Sequence, residues 1–298
     1  MTLDFTFLKK EQIWGEDSLD VIKKYGTKVA PTDLALLLGC YVTSRSGRTS
    51  ENDLACDSWS ASLDRYLGIY KRVCYVNSWE GKEDWMFYLC SRNIAARPAL
   101  PPSEVSKIKP KEVRTLKSGA RIVEYGEYPQ TVADKRISRA LERLYKLHSL
   151  HPTGKKYTFD SVDPREYYGE NRSFKAISYP EYRLDGKKYI RVPGWSSYAD
   201  NWVSNGERVE SPKDYWVEVQ PIEWLMDKSG WMVAKKCLFA GVQFNGIRKE
   251  DDYNFSKTSI KRYLDTYFAK EMMPIERVAK HSKTKIGKIA LKKRQVTR

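Results

Sequence analysis

Apolar residues recur close to a 3.6-residue period in three stretches of the chain, and each predicts a helix. In EQIWGEDSLDVIKKY, Ile13, Leu19, Ile22 and Tyr25 predict one over 11–25. In VADKRISRALERLYKL, over 132–147, Ile137, Ala140, Leu141, Leu144 and Leu147 share one face and Arg, Lys and Glu occupy the other. Ile260, Tyr263, Leu264 and Tyr267 do the same over 258–269. A fourth helix opens at Pro31 and Thr32, with Asp33 in its first turn, and closes at Gly39. Period-two and short apolar runs predict strands. Arg72-Val73-Cys74-Tyr75-Val76 is one, and alternation gives Val73 and Val76 different environments, with Cys74 and Val76 toward the core. ARIVEYGEYPQ is a second, expected to end at Gly126 and Pro129. FKAISYPEYRL and KKYIRV flank Asp185-Gly186, a strong hairpin signal. YWVEVQPIEWLM and GWMVAKKCLFA flank a turn at 227–230, and 153–157 reads as another turn. The sum is an α+β chain of short, mostly antiparallel strands with several helices.

The pattern also divides the chain. Residues 1–100 form an N-terminal part that includes an aromatic-rich loop segment. Pro98, Pro101, Pro102 and Pro110, with Lys107, Lys109 and Lys111, mark 101–112 as a linker or crossover. Residues 113–275 form a C-terminal α+β part, expected to share one sheet system and one core with the first because neither half has enough apolar strands to close alone. Residues 276–298 are a basic tail with nine Lys or Arg and a single acid, Glu276.

Composition narrows the class. The chain has 298 residues, 41% hydrophobic and 31% charged, which excludes a disordered polypeptide. Mean hydropathy is −0.63 and no apolar run reaches bilayer length, so no membrane partner is expected. The N-terminus shows no signal-peptide pattern. Five cysteines, at 40, 56, 74, 90 and 237, form no CxxC pair and have no nearby histidine to complete a zinc site. A reduced, cytoplasmic protein with small buried thiols follows, with no metal and no cofactor expected.

Enzyme signatures are missing: the chain has no dinucleotide fingerprint, P-loop, HExxH or GxSxG motif. Of three histidines, His148 and His151 stand at a helix end, where they read as cations against the helix dipole rather than as metal ligands. The chain is therefore read as not an enzyme, with no catalytic residue assigned.

Net charge is +15, of which the tail contributes +8. Lys283, Lys285, Lys288, Lys292, Lys293 and Arg294 read either as a solvated terminus or as an electrostatic arm for phosphate or an acidic protein. Residues 59–88 hold eight aromatics in 30, double the chain's 13%, with Arg65, Lys71, Arg72 and Lys82 between them. One reading is a sheet core with scattered surface tyrosines. The other is an exposed binding face made by Trp59, Tyr66, Tyr70, Trp79, Trp85 and Arg92, since Trp, Tyr and Arg give large contact area at low entropic cost.

Two stretches carry a resemblance. Val76-Asn77, Gly81 and Arg97-Pro98-Ala99-Leu100 resemble the closing run of a bacterial domain family of unknown function. That family belongs to the formylglycine-generating, sulfatase-modifying and C-type-lectin-like fold group. VEYGEYPQT, PIEWLMDKSGWMVAKKCLFAGVQFN and IKRYLDTYF resemble the opening of the same family. The order is swapped, so the resemblance implies either a circularly permuted C-type-lectin-like core or two incomplete copies. The catalytic cysteine pair of the enzyme branch has no match here. The lectin-like branch implies a rigid scaffold displaying a variable loop face, and similar chains occur in prophages. The expected function is a non-enzymatic binder of phage or mobile-element origin. It would occlude a protein target, for example a bacterial defence complex. The alternatives are nucleic-acid binding through the tail and aromatic segment, and an enzyme with an unrecognised site.

Overall fold

The computed structural model describes residues 3–40, 42, 55–66, 70–77, 82–86, 94–117, 119–160, 175–195, 201–245 and 254–274. The fold is α+β, and every pairing between its named strands is antiparallel. Its centre is β10 (Asp214–Met226), a run of apolar and aromatic residues long enough to serve several partners. On one edge β10 pairs with β6 (Arg121–Val132). On the other it pairs first with β9 (Lys187–Pro193) and then with β11 (Met232–Ala234). From β9 the sheet continues through β8 (Ala176–Leu184) to β7 (Pro152–Asp160). From β11 it continues to β4 (Ala99–Leu100), and beyond β6 lies β5 (Lys111–Thr115). A separate three-stranded sheet holds β1 (Ser58–Tyr66), β2 (Tyr70–Val76) and β3 (Glu83–Met86).

One continuous main core draws on Phe5, Leu34, Val73, Ala96, Tyr128, Tyr157, Trp224 and Phe268, so both sheets and both halves of the chain pack on it. Residues 101–112 pack on it too: they carry α4 (Pro102–Val105) and the start of β5, with Val105 and Ile108 against the core. β2 is buried on both faces, Val73 and Tyr75 in the main core and Val76 in a second cluster with Leu8, Ile22 and Leu225. The sheet curls until Tyr128 of β6 meets Tyr157 and Phe159 of β7 edge-on, with ring centroids 5.6 and 6.2 Å apart.

Several elements depart from the sequence reading. The helix expected over 11–25 is two short ones, α1 (Lys10–Ile13) and α2 (Asp20–Tyr25). Between them the chain folds back, Leu19 N–H donating to Gln12 O at 2.9 Å, which lets Ile13, Leu19 and Ile22 enter the same second cluster. α3 (Asp33–Leu37) forms as its signals predict, Thr32 accepting from Ala35 N–H at its start. β6 does not stop at Gly126 or Pro129 but runs through both with shifted register. Gly126 takes φ +71° there, where an added Cβ would lie 3.0 Å from Met272 O and against Met272 Cε. The segment 153–157 is part of strand β7, not a turn. The hairpin at Asp185-Gly186 forms with φ positive at both residues (+49° and +80°), as a type I′ turn requires.

The C-terminal helical segment closes the inner face. It comprises α6 (Ser259–Tyr263), a π-helical turn (Leu264–Phe268) and a last turn (Ala269–Glu271). It is latched by polar contacts: Tyr263 Oη donates to Thr158 O at 2.7 Å, Thr158 N–H to Glu271 Oε2 at 2.7 Å, and Glu127 N–H to Met272 O at 2.8 Å. Edge strand β5 is exposed along its length and guarded by Lys111, Glu112, Arg114 and a bulge at Val113, the devices that discourage strand addition. Among the described residues no helix is long and apolar enough to cross a membrane.

Candidate functional site

The outer face of the sheet exposes Tyr182, Tyr189 and Trp216 to whatever covers them, and α5 (Lys135–Lys146) is that cover. Asp134 starts the helix by accepting from the backbone N–H of Arg136 and Ile137 at 2.8 and 2.9 Å. Ile137, Leu141 and Leu144 face the sheet. Ala140 and Leu147, expected on the same face, are exposed, Leu147 by 61%. The reason is geometric: both are displaced by about 65–90° from the centre of the buried stripe, and Leu147 lies beyond the last helical turn.

The helix is fastened by a charged clasp. Arg191 of β9 donates to Glu142 through Nε (3.1 Å) and Nη2 (3.3 Å) and meets Asp214 through Nη1 at 2.9 Å. Its guanidinium lies over the Tyr145 ring at 4.9 Å. Trp216 Nε1 donates to Glu142 at 3.2 Å, and Tyr145, Tyr182 and Trp216 pack edge-on around it. Burial alone would raise the Glu142 carboxyl, but hydrogen bonds from Arg191 and Trp216, with the charges of Arg191 and Lys146, outweigh it and hold the group below its ordinary value.

Beside this clasp runs an open cleft of about 880 Å³. One wall is the polar side of α5, with Lys135, Arg139, Arg143 and Lys146; the other includes Glu207, Lys213 and Asp214. Each carboxylate here is matched: Glu142 by Arg191 and Lys146, Glu207 by Lys213 at 2.8 Å, and Asp214 by Arg191. Lys135, Arg139 and Arg143 have no ion pair among the described residues, so the cleft carries an excess of positive charge on one helix face. Its serine, Ser138, is spent on Ala133 O at 3.1 Å, and among the described residues no histidine lines it. The arrangement suits binding an anion and offers no nucleophile–base pair. Among the described residues no group of three or more His, Cys, Asp or Glu is placed to hold a metal ion.

The residues singled out from sequence lie elsewhere. Trp59 is 2% exposed and packs on Phe244 at 5.1 Å in the main core, which corrects its placement on an exposed face: β1 bridges Ala95 and carries Trp59 inward. Trp85 is half-buried on β3, with the Arg72 guanidinium 4.3 Å and Lys10 Nζ 5.2 Å from its ring and its Nε1 donating to Glu83 at 2.7 Å. Tyr66 and Tyr70 oppose one another at the β1–β2 hairpin, but their side chains are outside the described residues. So are Trp79, Arg92, and Lys283, Lys285, Lys288, Lys292, Lys293 and Arg294 of the tail. His148 and His151 are exposed at the end of α5. The signal for the cleft was in the sequence: Lys135, Arg139, Arg143 and Lys146 of α5 recur at steps of four, four and three residues along its polar face. No known protein family, curated protein or solved structure matches this chain.

Proposed function

We propose that the chain is a non-enzymatic macromolecule-binding protein whose binding surface is the basic face of α5 with its cleft, and whose partner is densely anionic. One observation carries this: Lys135, Arg139 and Arg143 stand exposed and unmatched while each carboxylate lining the cleft, Glu142, Glu207 and Asp214, is paired. In an otherwise ion-paired cleft, such an excess attracts and steers a polyanion. Occlusion of a partner's charged surface, as in inhibition of a bacterial defence complex, is the mode of action that a binding face without chemistry supports.

The proposed setting is the reducing cytoplasm, supported by the free thiols of Cys40, Cys56, Cys74 and Cys237, all buried. A single, permuted C-type-lectin-like fold is part of this proposal. It is supported by the meeting of the two swapped stretches in one sheet, where Ala99-Leu100 pairs with β11 and the YPQ segment with β10.

Fluorescence anisotropy with labelled polyglutamate and a labelled oligonucleotide tests the binding reading. The R139E/R143E variant is expected to lose affinity for the preferred polyanion by about tenfold or more. Equal binding of variant and wild type to both probes would overturn it.

A further inference from the structure

Resting on the reading of α5 as a binding face, we propose that its ligand is the phosphodiester backbone of nucleic acid, gripped without regard to base sequence. Lys135, Arg139 and Arg143 are four residues apart, so an α-helix repeats their charge about every 6 Å over about 12 Å. A phosphodiester chain likewise repeats one charge per nucleotide at a fixed step of the same order. An acidic protein surface carries its carboxylates at side-chain tips whose spacing follows the local fold, whereas the phosphodiester repeat is fixed by covalent bonds. Two of the three cations are arginines, whose planar fork fits two phosphate oxygens at once. Nothing in the cleft competes for them, because Glu142, Glu207 and Asp214 already hold Arg191, Lys146 and Lys213.

Apart from its cations, the cleft offers little with which to read bases. Its rings, Tyr215 and Trp216, are each 3% exposed, so neither offers a face for stacking. Among the described residues no Asn or Gln lines it to pair with a base edge, and Ser138 is already donating to the backbone. What remains are the cations: on phosphate they set affinity and salt dependence and carry no sequence information, and an arginine that instead reached a guanine edge would show as a preference between the two single strands below.

The test uses the full chain, tail included, and measures anisotropy over a salt series with four probes: oligo-dT, a mixed-sequence single strand, a duplex, and polyglutamate. R139Q/R143Q removes two contacts at exposed positions, and an unchanged thermal melt verifies its fold. The expected result is weaker binding to every nucleic-acid probe alike, with the slope of log K against log salt shallower by about 1.4 on single strands, or about 1.8 if the duplex is the form bound. The two single strands are expected to bind wild type within about threefold of each other, and R139K/R143K to retain the slope while losing part of the affinity. Binding of polyglutamate through these arginines without binding of nucleic acid would overturn this inference and leave the proposed function standing. Nucleic-acid binding with an unchanged slope in R139Q/R143Q, or a strong preference between the two single strands, would overturn it as well. Failure of all four probes would remove both.

Discussion

The cleft beside α5 and the seam beneath the C-terminal helix stand on neighbouring strands and use the same residue types, yet they settle their charge differently. In the seam, Glu127 accepts from Lys155 at 3.0 Å and from Lys188 at 2.6 Å, and Lys155 also donates to Met273 O at 3.0 Å. Glu181 accepts from Thr153 at 2.8 Å and Tyr157 at 3.3 Å, and Glu271 takes the Thr158 N–H. Lys155 is 6% exposed and Glu181 is buried, so each of these groups would be costly without its partners. In the cleft, three cations are left over and stand exposed. A closed set of charges holds a fold together; an open set is available to something outside it.

Breaking the seam is expected to have the largest effect. E127A leaves Lys155 buried without its carboxylate and costs about 3 kcal/mol, read as a lower urea midpoint with an unchanged slope. A midpoint equal to wild type would show that the seam is not holding the C-terminal segment. G126A strikes the same junction through the backbone. An alanine at φ +71°, facing Met272 O, is expected to cost about 2 kcal/mol by the same measurement.

Protonation sharpens the contrast within the seam. Burial works to raise the Glu127 carboxyl, but hydrogen bonds and charge from Lys188 and Lys155 outweigh it and hold the group below its ordinary 4.5. Its contribution is therefore present above about pH 4.5 and lost as pH falls through the depressed native value. Glu271 runs the other way. Burial raises its carboxyl, against the pull of Thr158, so the unfolded chain ionises first and the native state loses ground as pH climbs from about 4.5 through the raised value. E271Q is expected to gain on wild type as pH rises over that window, tracked by thermal melts across a pH series; a constant difference would sink the assignment. The smallest effect belongs to the cleft. R139Q/R143Q is expected to change stability by no more than about 0.5 kcal/mol, because neither arginine is paired or buried. A large loss there would mean that the cleft is structural.

How far the chain could be read without its fold depended on where the deciding contacts lie. Asp185-Gly186 and Thr32 were legible because a type I′ turn and an N-cap are decided by two to four adjacent residues. β7 was missed because Lys155 occupies a core-facing position in the alternation Lys155, Tyr157, Phe159, and a lysine there reads as surface until Glu127 arrives from another strand. For Trp59, local aromatic enrichment supports a sheet core and an exposed face alike, because it does not distinguish a ring that meets solvent from one that meets Phe244. The cations of α5 were visible as a decorated helix face. That they border a cleft whose carboxylates are all taken depends on Arg191 and Lys213, dozens of residues away.

The sequence by itself determined the α+β class, the hairpin at 185–186, the cap of α3 and the existence of α5 with one apolar and one basic face, since each follows from periodicity or from backbone preferences of neighbouring residues. Tertiary structure alone decided that β10 has three strand partners, that β2 is buried on both faces, and which charges are matched. Pairing and burial are properties of groups brought together from distant parts of the chain, and a charge is structural or available according to what stands opposite it, which no local pattern records.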